Sequence, residues 1–426
     1  MSTGDGDGET GPPPPDGTLG DAAPSAWPPA RGSPLRVVLS RPFGPFFAGS
    51  SLSNIGTWFQ NIAAGLLVYE LTNSTLLVGT VNFAQFAGSF VLAPWSGAAA
   101  DRFDRRKLLM ASQLAAATIA ITLAAITIAG WVTAPIVVVA ALLLGFTLAF
   151  MVPALQSLVP LLVADEDLDA AVALNSVSFN LARAVGPVIG ALVVGQAGYG
   201  IAFSLNAASF LTFVAALAFV QPRPQQRLHG QRPRLLESIR LVRGVPAWAA
   251  LLMATVAISM STDPVNTLSP ELALDVHAGT EIDAGLLVGA FGAGATLTAV
   301  TITSWLRRQA HALVVAMGVQ GCGMIAVGLA PSLPLALAGM ALSGAGFIGA
   351  ITRSTSRLQL EVPDSQRGRV MALWSVAFIG TRPLAALVDG TVAEVFGAQA
   401  AAVVLALPVL LAIPWVHRRL GSGAGS

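Results

Sequence analysis

From about residue 42 onward the chain repeats one pattern: a solid apolar run, then a short polar connection. Each run is long enough to cross a bilayer, which takes roughly 20 residues of helix. We place spans near 45–69, 75–98, 107–130, 134–156, 170–195, 199–220, 246–270, 284–305, 311–331, 334–356, 370–394 and 398–416, twelve in all. The runs do not alternate, so they match neither a lipid-facing barrel nor the strands of a soluble sheet. Charge supports the reading, because only 11% of the 426 residues are charged, against about a quarter in soluble domains. The expected fold class is an all-α polytopic membrane protein, with twelve transmembrane helices in two pseudo-symmetric six-helix bundles.

Lys and Arg placement orients the spans. One set of connections carries Arg31, Arg36 and Arg41, then Arg102, Arg105, Arg106 and Lys107, the arginines from 223 to 243, Arg307 and Arg308, Arg357, Arg367 and Arg369, and Arg418 and Arg419. The other set (70–74, 131–134, 197–200, 271–283, 330–333 and 396–399) holds no Lys or Arg. Both termini are therefore expected in the cytoplasm of a multi-pass protein in the cell (inner) membrane, as an even number of spans requires.

Domain boundaries follow from composition. Residues 1–34 are rich in Gly, Pro and Asp and hold too few large apolar side chains to offset the entropy of ordering, so a disordered tail is expected. They have no signal-peptide pattern. Residues 35–220 form the first six-span bundle, 221–245 a cytoplasmic linker, 246–420 the second bundle and 421–426 a short tail. In the linker, Leu235, Ile239 and Val242 fall at i, i+4 and i+7, which suits either a short helix lying on the inner leaflet or a solvated connection. Gln156-Ser-Leu-Val-Pro160 recurs as Gln359-Leu-Glu-Val-Pro363, and the same offset of 203 carries Arg105 onto Arg308. Two related halves around a midplane site are a transporter plan.

Several functions are excluded. Lys+Arg 23 against Asp+Glu 22 leaves a net charge of +1, so bulk basicity cannot bind nucleic acid. Cys322 is the single cysteine, and the four histidines (His229, His277, His311, His417) share no ligand spacing, so neither a disulfide nor a metal site is expected. No cofactor is expected. Gly344-Ala-Gly346-Phe-Ile-Gly349 has the dinucleotide spacing but lies inside a span, where close helix packing is the better reading. There is no P-loop and no nucleophile elbow, so the chain is read as no enzyme, and its coupling must come from an ion or substrate gradient.

The sharpest motif joins spans 2 and 3: Gly97-Ala-Ala-Ala-Asp101-Arg102-Phe103-Asp104-Arg105-Arg106-Lys107. Gly97 permits close helix approach, and Asp101 can accept from a neighbouring helix N-terminus and pair with arginines. Such a cluster can lock two bundles together in one state and release them in another.

Intramembrane charge is expensive and usually functional. Arg183 lies deep in span 5 and Arg382 in span 11, near Pro187 and Pro383; Asp263 precedes Pro264 in span 7, on a face with Ser259 and Asn266; Asp389 follows Arg382 at i+7. These residues read either as a polar cavity with a titratable carboxylate or as buried pairs that fix packing. Arg183 is the expected partner of Asp263. In span 1, Asn54, Thr57, Trp58 and Asn61 share a face, either a cavity wall or interhelical hydrogen bonds. Phe83, Phe86 and Phe90 are expected in packing or lipid contact.

The sequence resembles the major facilitator superfamily, whose loop between helices 2 and 3 reads Gly-x-x-x-Asp-Arg-x-Gly-Arg-Arg-(Lys/Arg). Gly97, Asp101, Arg102, Arg105, Arg106 and Lys107 match; Asp104 replaces a glycine, where an aspartate would tolerate a left-handed turn. The resemblance implies a cytoplasmic gate at these residues. The copy after span 8, Ser304-Trp-Leu-Arg-Arg308, lacks the acid. The opening Arg41-Pro-Phe, Leu67-Val-Tyr69-Glu-Leu71-Thr72, Asn175, Ala182-Arg183 and Val362-Pro363-Asp364 through Arg367-Gly368-Arg369-Val370-Met371 resemble the branch of enterobactin exporters and macrolide efflux proteins. Gly186-Pro187-x-x-Gly190 resembles the core of the antiporter motif. The implied function is export of an amphipathic small molecule (drug, macrolide or siderophore-like) by alternating access with proton antiport. The partners are then that substrate, protons and the lipid bilayer, with the chain a monomer. Rival readings are an uptake or lysolipid-flipping porter of the same fold, and a non-transporting membrane sensor.

Overall fold

The computed structural model describes residues 34–224, 235–301 and 311–421. The terminal tails, His229 and the 304–308 copy of the gate motif lie outside the described residues. Among the described residues there is no strand. A short turn at Pro34–Val38 leads into α1 (Phe43–Thr72), α2 (Thr75–Arg102), α3 (Arg105–Ile128) and α4 (Ala134–Leu158). A continuous run, Leu168–Phe219, bends at Gly198 (φ 78°) into α5 (168–197) and α6 (199–219). In the second half, α7 comprises Pro246–Met260 and Pro264–Glu271. It is followed by α8 (Glu281–Thr301), α9 (Ala312–Gly328) and α10 (Leu333–Glu361). α11 comprises Asp364–Ile379 and Arg382–Phe396, and α12 is Ala398–Gly421.

All twelve expected helices are present. Nine described segments are long and apolar enough to span a membrane, one of them being the α5–α6 run; α9 is apolar but shorter. α1 falls outside that set because Ser50, Ser51, Ser53, Asn54, Thr57, Gln60 and Asn61 interrupt it. Those side chains are used inside the bundle: Gln60 accepts from Asn206 of α6, and Ser53 donates to Gln113 of α3 at 3.3 Å.

One expectation about helix continuity needs correction: the connection placed at 197–200 is no loop, because the left-handed backbone of Gly198 turns the chain without one. Spans 7 and 11 both break at the prolines inside them, and for the same reason. Proline lacks the N–H that would bond the carbonyl four residues back. Met260 ends the first piece of α7 four residues before Pro264; Ile379 ends the first piece of α11 four residues before Pro383. The break in α7 is repaired by side chains, as buried backbone requires. The Ile258 carbonyl accepts Thr262 Oγ1 at 2.7 Å and Gln320 Nε2 at 3.0 Å.

The first half packs α1 on α5 and α6, α2 on α4, and α3 on α4 and α6. The second packs α9 on α10 and α12, α8 on α10, and α12 on α7. The halves meet along two related seams, α5 with α8 and α2 with the second piece of α11. Small residues allow this, as between membrane helices generally. A methyl group added at Gly285 would lie 2.6 Å from the Pro187 carbonyl oxygen. The linker helix forms at Leu235–Arg243, but Val242 is buried against α7 and the first piece of α11 rather than left for lipid.

Candidate functional site

The two helix breaks place the charges. Asp263 and Arg382 each immediately precede the proline of their break, and they meet there: Arg382 Nε lies 3.3 Å from Asp263 Oδ1. Asp263 is 2% exposed, and its Oδ2 has no hydrogen-bond partner. The expected ion pair between Asp263 and Arg183 is thus replaced by one between α7 and α11, both in the second half. The shared face expected for Ser259, Asp263 and Asn266 is likewise interrupted, because the helix stops at Met260. Ser259 instead donates to the Phe378 carbonyl at 2.6 Å, tying α7 to α11 beside both breaks, while Asn266 is only partly buried on the second piece of α7.

Arg183 is 6% exposed on α5, and its Nη2 has no hydrogen-bond partner. Rings from three helices surround it: Trp58 of α1 at 5.3 Å, Phe291 of α8 at 4.8 Å and Phe347 of α10 at 5.0 Å. Arg382 lies 4.7 Å from the Phe86 ring of α2 and 5.6 Å from Phe378. Each guanidinium therefore touches a ring of the opposite half, and Phe86 belongs to the site rather than only to packing. Asp389 is fully buried on the second piece of α11, with both carboxylate oxygens unpartnered and no pairing to Arg382. Asn61 accepts from Gln85 of α2 at 3.2 Å; Asn54 and Trp58 are partly exposed along the same face of α1. Gly186 and Gly190 let α5 approach α1: a methyl group would lie 2.7 Å from Trp58 Cβ at Gly186 and 2.8 Å from the Phe59 carbonyl oxygen at Gly190. Pro187 lies inside α5 without breaking it.

At the arginine-free end, hydrogen bonds join the two halves. Tyr69 donates to Asp275 and Thr75 to Glu271. Ser74 Oγ and the Leu76 amide donate to Glu394 at 2.9 and 3.2 Å. Glu271 also accepts from the Ala398 amide at 2.8 Å. Deeper in, Asn82 donates to Thr267 at 3.2 Å. Every acceptor carboxylate belongs to the second half, and its donors from the first half are hydroxyls or amides. Sequence reasoning missed this latch. Its one legible sign was acidic residues in connections that hold no Lys or Arg.

At the other end, two arginines of the motif bond within the first half. Arg105 donates to the Ser157 carbonyl at 2.9 Å, and Arg106 to the Leu217 and Ala218 carbonyls at 2.7 Å. Arg102 is exposed, and the side chain of Asp101 lies outside the described residues. Two expectations change here. Among the described residues, no atom lies within 4 Å of a methyl group placed at Gly97, so none of the described helices packs closely on it. Asp104 is not left-handed (φ −60°); it caps α3, its Oδ1 accepting from the Lys107 amide at 2.9 Å. Of the remaining single residues, Cys322 is exposed on α9. The rings of His311 and His417, distant in sequence, lie 5.2 Å apart. Among the described residues no group of three or more possible metal ligands occurs. Gly346, from the dinucleotide-like spacing, packs against Gln320 of α9.

The family described as transmembrane secretion effector matches residues 32–420. The enterobactin exporter EntS of Shigella boydii serotype 4 is 26% identical over 351 residues, which is 80% of this chain and 83% of that protein. EntS of Salmonella typhi is 25% identical over 350 residues, with the same shares. Among solved structures, a D-xylose–proton symporter aligns with TM-score 0.70 at 14% identity, over 88% of this chain and 97% of that one. A bacterial homologue of the iron transporter ferroportin, in an inward-facing state, aligns with TM-score 0.68 at 17% identity, over 89% and 98%. Transport rather than catalysis is what these relatives share. The chain therefore belongs to the transmembrane secretion effector family, a group of membrane transporters within the major facilitator superfamily.

Proposed function

We propose that the protein exports an amphipathic small molecule by alternating access, driven by protons entering in exchange. The observation that carries this reading is the set of carboxylate bonds that bridge the halves at the arginine-free end. With the arginine-rich end in the cytoplasm, these bonds would hold the outer side closed while the protein loads from inside. The relatives named as enterobactin exporters support the outward direction and a siderophore-like cargo.

In this reading Gly97, Asp101, Arg102, Arg105, Arg106 and Lys107 form the cytoplasmic gate, drawn together when that end closes. Asp263 is the coupling carboxylate. A proton on it cancels the charge that holds Arg382, and Arg382 spans the seam through Phe86. The test is transport by the full chain in proteoliposomes, with and without a pH gradient. Wild type should concentrate substrate only with the gradient, and Asp263→Asn should exchange substrate yet lose the gradient's effect. Accumulation by Asp263→Asn that still follows the gradient would move the coupling role to Asp389.

A further inference from the structure

We propose that Arg183 anchors an acidic group of an aromatic substrate, so the cargo class is aromatic small molecules that carry an anion. The proposal rests on the transport reading above and specifies the substrate of that same site.

Charge comes first. A guanidinium cannot shed its proton, and an unpaired one at span depth is costly. The charged neighbours of Arg183 are Arg382 and Asp263. Asp263 is already engaged by Arg382 at 3.3 Å, and Arg382 itself repels Arg183. Asp389 neighbours Asp263, not Arg183. Arg183 thus shares the charge of Asp263 with Arg382 and forms no described ion pair of its own. The rings beside it stabilise the face of the guanidinium, not its N–H edge. Nη2 still lacks a partner there. A planar fork with a free edge matches a carboxylate. An arginine with a structural task looks different: Arg106 uses Nε and Nη2 on the Leu217 and Ala218 carbonyls.

The aromatic part follows from the walls. Trp58, Phe291 and Phe347 enclose Arg183, and Phe179, one turn nearer the arginine-rich end, packs edge-on to Trp58 with 46% of its surface exposed. Trp374 and Phe378 stack beside Phe347, and the Trp374 indole N–H is unpartnered. Flat apolar faces with a few free donors take an aromatic ligand and orient its polar group.

The test is equilibrium binding to the purified full chain, read by intrinsic tryptophan fluorescence and calorimetry, so it does not depend on transport direction. The probes are matched pairs: 2-naphthoate with 2-naphthamide, and anthracene-9-carboxylate with its amide. Wild type should bind each acid at least tenfold tighter than its amide. Arg183→Gln should remove the acid's preference over the amide, and its thermal unfolding midpoint reports folding. Arg183→Lys should keep part of the preference and decides the matter if the glutamine variant does not fold. Equal binding of acid and amide by wild type, binding of neither, or an acid preference that survives in Arg183→Gln would overturn the proposal. None of these outcomes bears on export, which the proteoliposome assay decides separately.

Discussion

At the scale of single residues, the site sets charge against burial: Asp263, Arg183 and Asp389 are all buried. Removing one partner of a buried ion pair costs about 3–5 kcal/mol, because the other charge is left uncompensated, whereas removing both can be near neutral. Asp263→Asn should therefore lower the thermal midpoint in detergent, and adding Arg382→Gln should restore much of it; equal losses from the single and the double variant would dissociate the pair. Asp104 offers a milder test. As the N-cap of α3 it should cost about 1 kcal/mol when changed to Ala but only a few tenths when changed to Gly. Asp104→Gly should consequently transport normally, while Asp101→Asn should insert, fold and lose most transport. The sequence singled out Arg183, Asp263, Arg382 and Asp389, since intramembrane charge is rare. It could not signal the pairing, because two prolines break their helices and turn Asp263 toward Arg382.

Helices set the next scale. Pro264 and Pro383 make hinges whose loose ends hold the ion pair and are tied by Ser259 to Phe378. Pro264→Ala restores a backbone donor for the Met260 carbonyl and should straighten α7, drawing Asp263 from Arg382. The expected outcome is a folded, monodisperse protein with strongly reduced transport; normal transport would show that the break is dispensable. The number and order of helices were legible from apolar run length alone. The break in α7 was legible from Pro264, whereas the continuity of α5 and α6 through Gly198 was not, because it depends on a backbone geometry that run length does not report. α1 was legible as a span only by tolerating its polar face, which the structure spends on α3 and α6.

For the whole molecule, the two seams repeat each other: α5 with α8 and α11 with α2 are equivalent pairs under the 203-residue offset. In the proposed cycle, rocking one half on the other opens one end as it closes the other. Orientation is tested by thiol labelling in intact cells on a Cys322→Ala background: a cysteine at Ser332 should react with an impermeant reagent, and one at Gln221 should not. The latch between Glu394 and Ser74 sits at the arginine-free end, and in the proposed cycle it releases each time that end opens. The most direct test is to hold it shut. Ser74→Cys with Glu394→Cys, bridged by a short bifunctional thiol reagent cleavable by reductant, should stop transport in proteoliposomes, and reductant should restore it. Undiminished transport by quantitatively bridged protein would contradict alternating access through this seam.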